Sequence, residues 1–420
     1  MNRETREQRK PKPVKRIEIS EKFSKRRLIL AIFFAVLGIG AIVYAIASSL
    51  KTESGWKTIE TSSSAETNYS SDFSFSYNLG QGELSASEEY KKIQTLYTDA
   101  MVKCYKIFHN IEEFEDVNNI CYINKHPNEE LVVDETLYHA LEQVNKAKSR
   151  LLYFGPVYEQ YTNLFHCKDD SETINFDPYQ NEEIASYFSE IAMYANNPEE
   201  IDLKLLDNNK IILFVSADYL SYADETGFSN FIDFSFMKNA VIIDYVADLM
   251  QKNGYTAGSI TSYDGFTRNL DNSNTSYTYT IFDRVGQTVY TAASMQYKNA
   301  QSIVFLYNYK LSDKDKNDRY ELKNGEIRTP YIDETDGLCK SSTNNLLAYS
   351  KEKGCFEILL QILPIFTRDT FEKDQLNAIK QNGIYSIYGS DHVLYYNEPD
   401  LILSDFYQNN EITYTSILNQ

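Results

Sequence analysis

The residue types that most often carry chemistry are present but badly spaced. His109, His126, His139, His166 and His392 fall in no H-E-x-x-H or H-x-x-x-H pattern, so no zinc-hydrolase pair can be built from them. Cys104, Cys121, Cys167, Cys339 and Cys355 are odd in number and form no C-x-x-C pair, which argues against a zinc site or a disulfide framework. They read as small buried apolar residues. There is no P-loop and no G-x-S-x-G elbow. What remains is a set of short polar constellations. Tyr263-Asp264-Gly265 reads as an acidic turn. Lys238 stands at the start of an amphipathic run as a solvated lysine, and Glu357 and Gln361 lie one turn apart on an apolar helix, as a polar edge does.

Several elements must position these groups. A helix opens at Ser85, where Ser85-x-x-Glu88 is a capping box, and Tyr90, Ile93, Tyr97, Met101, Cys104 and Phe108 recur at three- and four-residue steps. A second helix starts at Asp134 with Leu137, Leu141, Val144 and Ala147 on one face, and a third covers 181–195. Strands are expected at Ile211–Val215, Tyr277–Phe282, Thr288–Tyr297 and Ser302–Leu311, all rich in β-branched and aromatic residues. A helix near 239–253 stops at Gly254. Ile384–Tyr388 and Val393–Tyr396 flank Gly389-Ser-Asp-His392 as a hairpin. Helices first, then strands with an inserted helix, predict an α+β fold with much antiparallel sheet. The 34 tyrosines read as packing residues with a wet hydroxyl.

Charge divides the 420-residue chain in two. Residues 1–27 carry a net charge of +7 and the remainder −26. An acidic body repels phosphate backbones, which argues against nucleic acid as a partner. Between the two regions, Leu28–Ala47 is an uncharged apolar run of 20 residues, enough at about 1.5 Å per residue to cross roughly 30 Å of hydrocarbon. Lys25, Arg26 and Arg27 before it place the N-terminus inside. The rival, a signal peptide cleaved after Ala45-Ile46-Ala47, has too long an apolar region and leader. The expected organisation is a basic cytoplasmic tail (1–27), a transmembrane helix (28–48), a flexible Ser/Thr/Gly/Asn-rich stalk (49–84), an extracytoplasmic domain (85–400) and a peripheral tail (401–420).

Five segments, in order across about 86–398, resemble the FAD:protein FMN transferases, the ApbE family. Asn118-Asn-Ile-Cys-Tyr-Ile-Asn124 stands where that family has S-x-L-S-x-L-N, with Asn124 kept. Gly155-Pro156-Val157 resembles its G-P-L. Asp233–Asp244, D-F-S-F-M-K-N-A-V-I-I-D, has the outline of D-L-G-G-I-A-K-G-Y-A-V-D. There the paired glycines become Ser235 and Phe236, the lysine becomes Asn239, and Lys238 lies one position early. Gly254–Gly265 matches G-x-x-x-A-L-I-N-x-G-G-D in length, but the G-G that receives pyrophosphate is Tyr263-Asp264. Pro330–Gly337 stands at H-I-I-D-P-R-T-G, keeping Asp333 and Gly337 while Pro330 replaces the histidine. Downstream of these five, Leu346–Gln361 fits the segment leading to A-D-A-L-S-T, whose magnesium ligands become Glu357 and Gln361.

The resemblance implies an ApbE-like α+β fold. It also implies a flavin-binding set of Asn124, Lys238, Asn239, Asp244, Gly265 and Asp333, with Glu357 and Gln361 as metal ligands. FAD and Mg²⁺ are the cofactors if the family's chemistry is retained. The joint loss of lysine, histidine and glycine pairs leads to the expectation of a membrane-anchored homologue that is non-catalytic, has no catalytic residue, and acts as a binding or assembly partner, for example of a surface flavoprotein. Two alternatives stand beside it: an active, divergent transferase attaching FMN to Thr or Ser, and an extracellular small-molecule or peptide-binding module.

Overall fold

The computed structural model describes residues 52–419. Its central feature is a nine-stranded sheet whose spatial order follows the chain: Gly55–Ile59, Phe73–Leu79, Gly258–Ser262, Phe266–Asn269, Gln301–Tyr307, Asn345–Ser350, Tyr385–Ser390, Val393–Tyr396 and Thr415–Leu418. Neighbours pair antiparallel except the last two, which are parallel. Gln301–Tyr307 and Asn345–Ser350 are buried at every position, so both faces of the sheet are covered. Side chains alternate across a strand. Ile303, Phe305, Leu347 and Ile387 therefore meet a three-stranded sheet (Ser276–Val285, Thr288–Lys298, Ile402–Ser404) through Ile281, Ala293 and Met295. Val304, Leu306, Leu346 and Ala348 face the other way, into a core made with the helices.

Three helices cover that second face: Ala86–Ile107, Lys238–Lys252 and Cys355–Phe366. The first begins as the sequence requires, with Ser85 and Glu88 closing a reciprocal capping box. Ile93, Tyr97, Met101 and Cys104 form its buried stripe. Asp134 caps Glu135–Ala147 and Asn181 caps Glu182–Ala195. Gly254, with φ +82°, follows the end of Lys238–Lys252. The Tyr385–Ser390/Val393–Tyr396 hairpin turns through Asp391 and His392, both at positive φ, the geometry that matches strand twist in a tight hairpin. The α+β expectation is met.

Other expectations need correction. The stretch read as a flexible stalk contains the strands Gly55–Ile59 and Phe73–Leu79, which pair with each other and, through the second, with Gly258–Ser262. Its serines conceal an alternation in which Phe73, Phe75, Tyr77 and Leu79 point into the core while Ser74 faces solvent. The C-terminal stretch is likewise built in, since Ile402–Ser404 and Thr415–Leu418 each pair with a sheet strand. The strand expected over 302–311 ends at Tyr307. The basic tail and the apolar run 28–48 lie outside the described residues. No helix among the described residues is long and apolar enough to cross a membrane.

Candidate functional site

Asn124 ends up as a clamp on the loop that precedes helix Lys238–Lys252. Its Nδ2 donates to the Ile232 carbonyl at 2.9 Å and to Asn230 Oδ1 at 3.1 Å, and its Oδ1 accepts from the Ile232 N–H at 2.9 Å. One residue on, the Asp233 N–H donates to the Leu152 carbonyl at 2.9 Å. The Asp233 carboxylate accepts from the Ser235 N–H at 2.6 Å and from Asn110 Nδ2 at 2.5 Å. Ser235 adopts a left-handed φ of +46°, a conformation that suits glycine and is held here by the Asp233 contact. Phe236 then packs edge-on against Tyr331, with ring centroids 5.3 Å apart, and near Tyr158 at 6.1 Å. Replacing Asn124 with alanine strips a buried N–H and carbonyl of their partners. The expected cost is about 2 kcal/mol, read as a lower urea midpoint.

The turn Tyr263-Asp264-Gly265 meets the same helix from the sheet side. Asn239 Nδ2 donates to Asp264 Oδ2 at 2.9 Å, while Asp264 Oδ1 is buried without a partner. Burial pushes the Asp264 carboxyl up to about 7; the nearby Asp318 adds to this, while bonds from Ser262 and Asn239 oppose it. Gly265 has φ +101°, and a Cβ there would strike the carbonyl oxygen of Phe305, so only glycine fits.

Beside this turn lies a group that sequence reasoning missed. Arg319 is 1% exposed, with Nη1 2.7 Å from Asp318 and 3.3 Å from Asp315, and Nη2 2.9 Å from the Tyr331 hydroxyl. Its guanidinium lies 4.2 Å from the Tyr307 ring centroid. The Tyr307 hydroxyl donates to Asp315 at 3.0 Å and reaches the Tyr263 carbonyl at 3.1 Å. In sequence, Asp313–Arg319 is a charged run of the kind that normally faces water. The only local hint was Ser312-x-x-Asp315, which forms a capping box.

The segments around 124, 155, 233–244, 263–265 and 330–337 thus converge. Gly155 packs against Asn230, and Gly337 sits against Phe154 and Val157. Asp333, however, serves its own loop. It accepts from the Thr335 N–H at 2.9 Å and from Lys340 Nζ at 3.1 Å. Burial pushes its carboxyl up, but the Thr335 and Lys340 bonds outweigh this and hold it below the usual range. Lys238 is exposed on the first turn of its helix. Asp244, further along the same helix, contacts none of these groups and caps helix Cys355–Phe366, accepting from the Cys355 and Phe356 N–H groups at 2.8 Å and from Arg268 at 2.7 Å.

The residues expected to hold a metal are engaged with neighbours. Glu357 pairs with Lys353 at 2.8 Å, and Gln361 Oε1 accepts from Asn382 at 3.1 Å. Among the described residues no group of three or more His, Cys, Asp or Glu side chains could hold a metal ion. The donor set does not fit Mg²⁺. Nor does the Tyr263-Asp264-Gly265 turn fit a diphosphate, since the buried Asp264 carboxyl occupies it. A cavity of about 370 Å³ lies beside Asn124, bordered by Asn110, Cys121, Asn230 and Asp233. Small-molecule sites start near 300 Å³.

No protein-family model and no curated protein matches the chain in sequence. Among solved structures, the ApbE protein of Thermotoga maritima superposes with a TM-score of 0.52 at 12% identity, covering 79% of this chain and 94% of that one. The flavin transferase ApbE from Vibrio cholerae gives 0.47 at 13% identity, covering 79% and 93%. The fold expected from the five segments is therefore the one observed: this chain is built as the Thermotoga maritima ApbE protein is built.

Proposed function

We propose that this protein is an FMN-transferase homologue that no longer performs the transfer and acts through binding. The observation that carries this reading is Asp264, a buried carboxyl bonded to Asn239, in the turn where the family's pyrophosphate would need N–H groups and open space. Transfer of a phosphoryl group also calls for a cation over the developing charge. Arg319 is enclosed by Asp315, Asp318, Tyr307 and Tyr331, and Lys125 beside the remaining cavity is bonded to Glu113. The cavity at Asn124 and Asp233 presents amides, hydroxyls and two carboxylates, Glu159 and Asp233, which suits a small polar molecule or a peptide segment of a partner. The basic tail and apolar run support anchorage of the body at a membrane.

The test is to incubate the full chain with FAD, Mg²⁺ and an acceptor protein bearing a flavinylation Thr or Ser. The acceptor should remain non-fluorescent after denaturing electrophoresis. A covalently fluorescent acceptor band would overturn the reading.

A further inference from the structure

A second cavity, of about 290 Å³, opens where the nine-stranded sheet parts from the three-stranded one, and none of its lining residues belongs to the converging segments described above. Gln301 borders it and is 4% exposed, yet its Oε1 has no hydrogen-bond partner. A buried carbonyl without a donor costs about 1–3 kcal/mol, a cost that a water or a ligand hydroxyl brought to it would relieve. Across the opening, Tyr349 donates to Glu398 at 2.7 Å, and Lys351 adds ammonium hydrogens. Tyr297 forms an aromatic wall. Its ring stacks on Tyr277 with centroids 5.7 Å apart, and Tyr277 meets Trp56 edge-on at 6.4 Å. Trp56 lies on the edge strand Gly55–Ile59 and is 47% exposed, so an aromatic strip runs from the cavity to open surface.

The lining chooses among ligand chemistries. An apolar ligand would leave Gln301 Oε1 unpaired. A phosphate or sulfate would meet Glu398 and Asp400 at close quarters. A sugar ring suits both demands, because its hydroxyls donate to Gln301 and Glu398 and accept from Lys351, while its C–H faces lie on aromatic rings. We infer that the protein binds a neutral saccharide chain here, one ring seated at Gln301 and its neighbours along Tyr297, Tyr277 and Trp56. The proposal stands apart from the flavin-fold reading, since the two sites share none of these residues.

Trp56 is the chain's only tryptophan and reports on the strip directly. The full chain, in buffer free of sugar-based detergent, would be titrated with cellotriose, maltotriose and tri-N-acetylchitotriose, with inorganic phosphate alongside. A saturable change in Trp56 emission is expected with at least one trisaccharide and none with phosphate. Gln301→Leu should weaken that binding at least tenfold. If Gln301→Leu fails to fold, Lys351→Ala, at an exposed position, should weaken binding several-fold. No saturable change with any of the three sugars, a response to phosphate alone, or unaltered affinity in a correctly folded variant would each overturn the proposal.

Discussion

Replacing Asp264 with asparagine is expected to stabilise the protein at pH 8 by about 2–4 kcal/mol and to leave it nearly unchanged at pH 4. The folded-state carboxyl sits at about 7, above its ordinary value, because burial disfavours the charge and Asp318 repels it. A carboxyl raised on folding binds its proton more tightly in the native state. Its neutral form is therefore compatible with full stability below about pH 4, and stability drains away as pH rises towards and through 7. Asparagine keeps the shape and an acceptor for Asn239 Nδ2, without the charge. Urea midpoints measured from pH 4 to pH 8 should fall more steeply for the natural protein than for Asp264→Asn. Parallel curves would show that Asp264 carries no such burden, and with that the reading of the turn as a blocked anion site would lose its support.

The same turn marks where sequence reasoning succeeded and where it could not reach. Asp264 stood out because a charged residue filled a place that backbone amides should own, and the structure puts it against Asn239, 25 positions away in the chain. Asn124 and Gly265 were singled out as flavin-binding positions, and the structure shows their packing roles: Asn124 clamps the Ile232 backbone, and a Cβ at Gly265 would strike Phe305. Arg319 was not. Local composition around Asp313–Arg319 is that of a solvated loop, and only tertiary packing against Tyr307 and Tyr331 makes it an interior group. The strands Gly55–Ile59 and Phe73–Leu79 were hidden for a related reason. In Phe73–Leu79 serine and asparagine fill the positions between the buried residues, and the short edge strand Gly55–Ile59 leaves Trp56 and Thr58 exposed, so average composition spoke for a linker while alternation spoke for a strand. Glu357 and Gln361 illustrate the converse. Their one-turn spacing is real, but each is satisfied by a neighbour, Lys353 or Asn382, and spacing alone cannot reveal a partner.

Asp244 was read as a flavin-segment residue, and its geometry leads to the largest stability effect expected of any substitution here. Helix Cys355–Phe366 is buried along most of its length and has only Gly354 at its N-cap, which offers no side chain to the free N–H groups. The Asp244 carboxylate, arriving from helix Lys238–Lys252, takes the Cys355 and Phe356 N–H groups instead and places negative charge at the helix start. A Cβ at Gly354 would strike the carboxylate and push it off the two N–H groups. Arg268, from strand Phe266–Asn269, completes the junction with a 2.7 Å bond to Asp244 and a 3.0 Å bond to Asp248. Burial holds the Asp244 carboxyl above its ordinary range, although the guanidinium and both N–H groups oppose this. One carboxylate thus joins two helices to the sheet. Asp244→Ala removes the cap and leaves a largely buried guanidinium with only the exposed Asp248, for an expected loss of about 3–5 kcal/mol. Asp244→Asn, which still accepts an N–H bond, should lose about half as much. Urea unfolding of both variants checks the ranking. A loss below about 1 kcal/mol for the alanine variant would mean that the junction is held by apolar packing of Phe356 and its neighbours, with the carboxylate incidental.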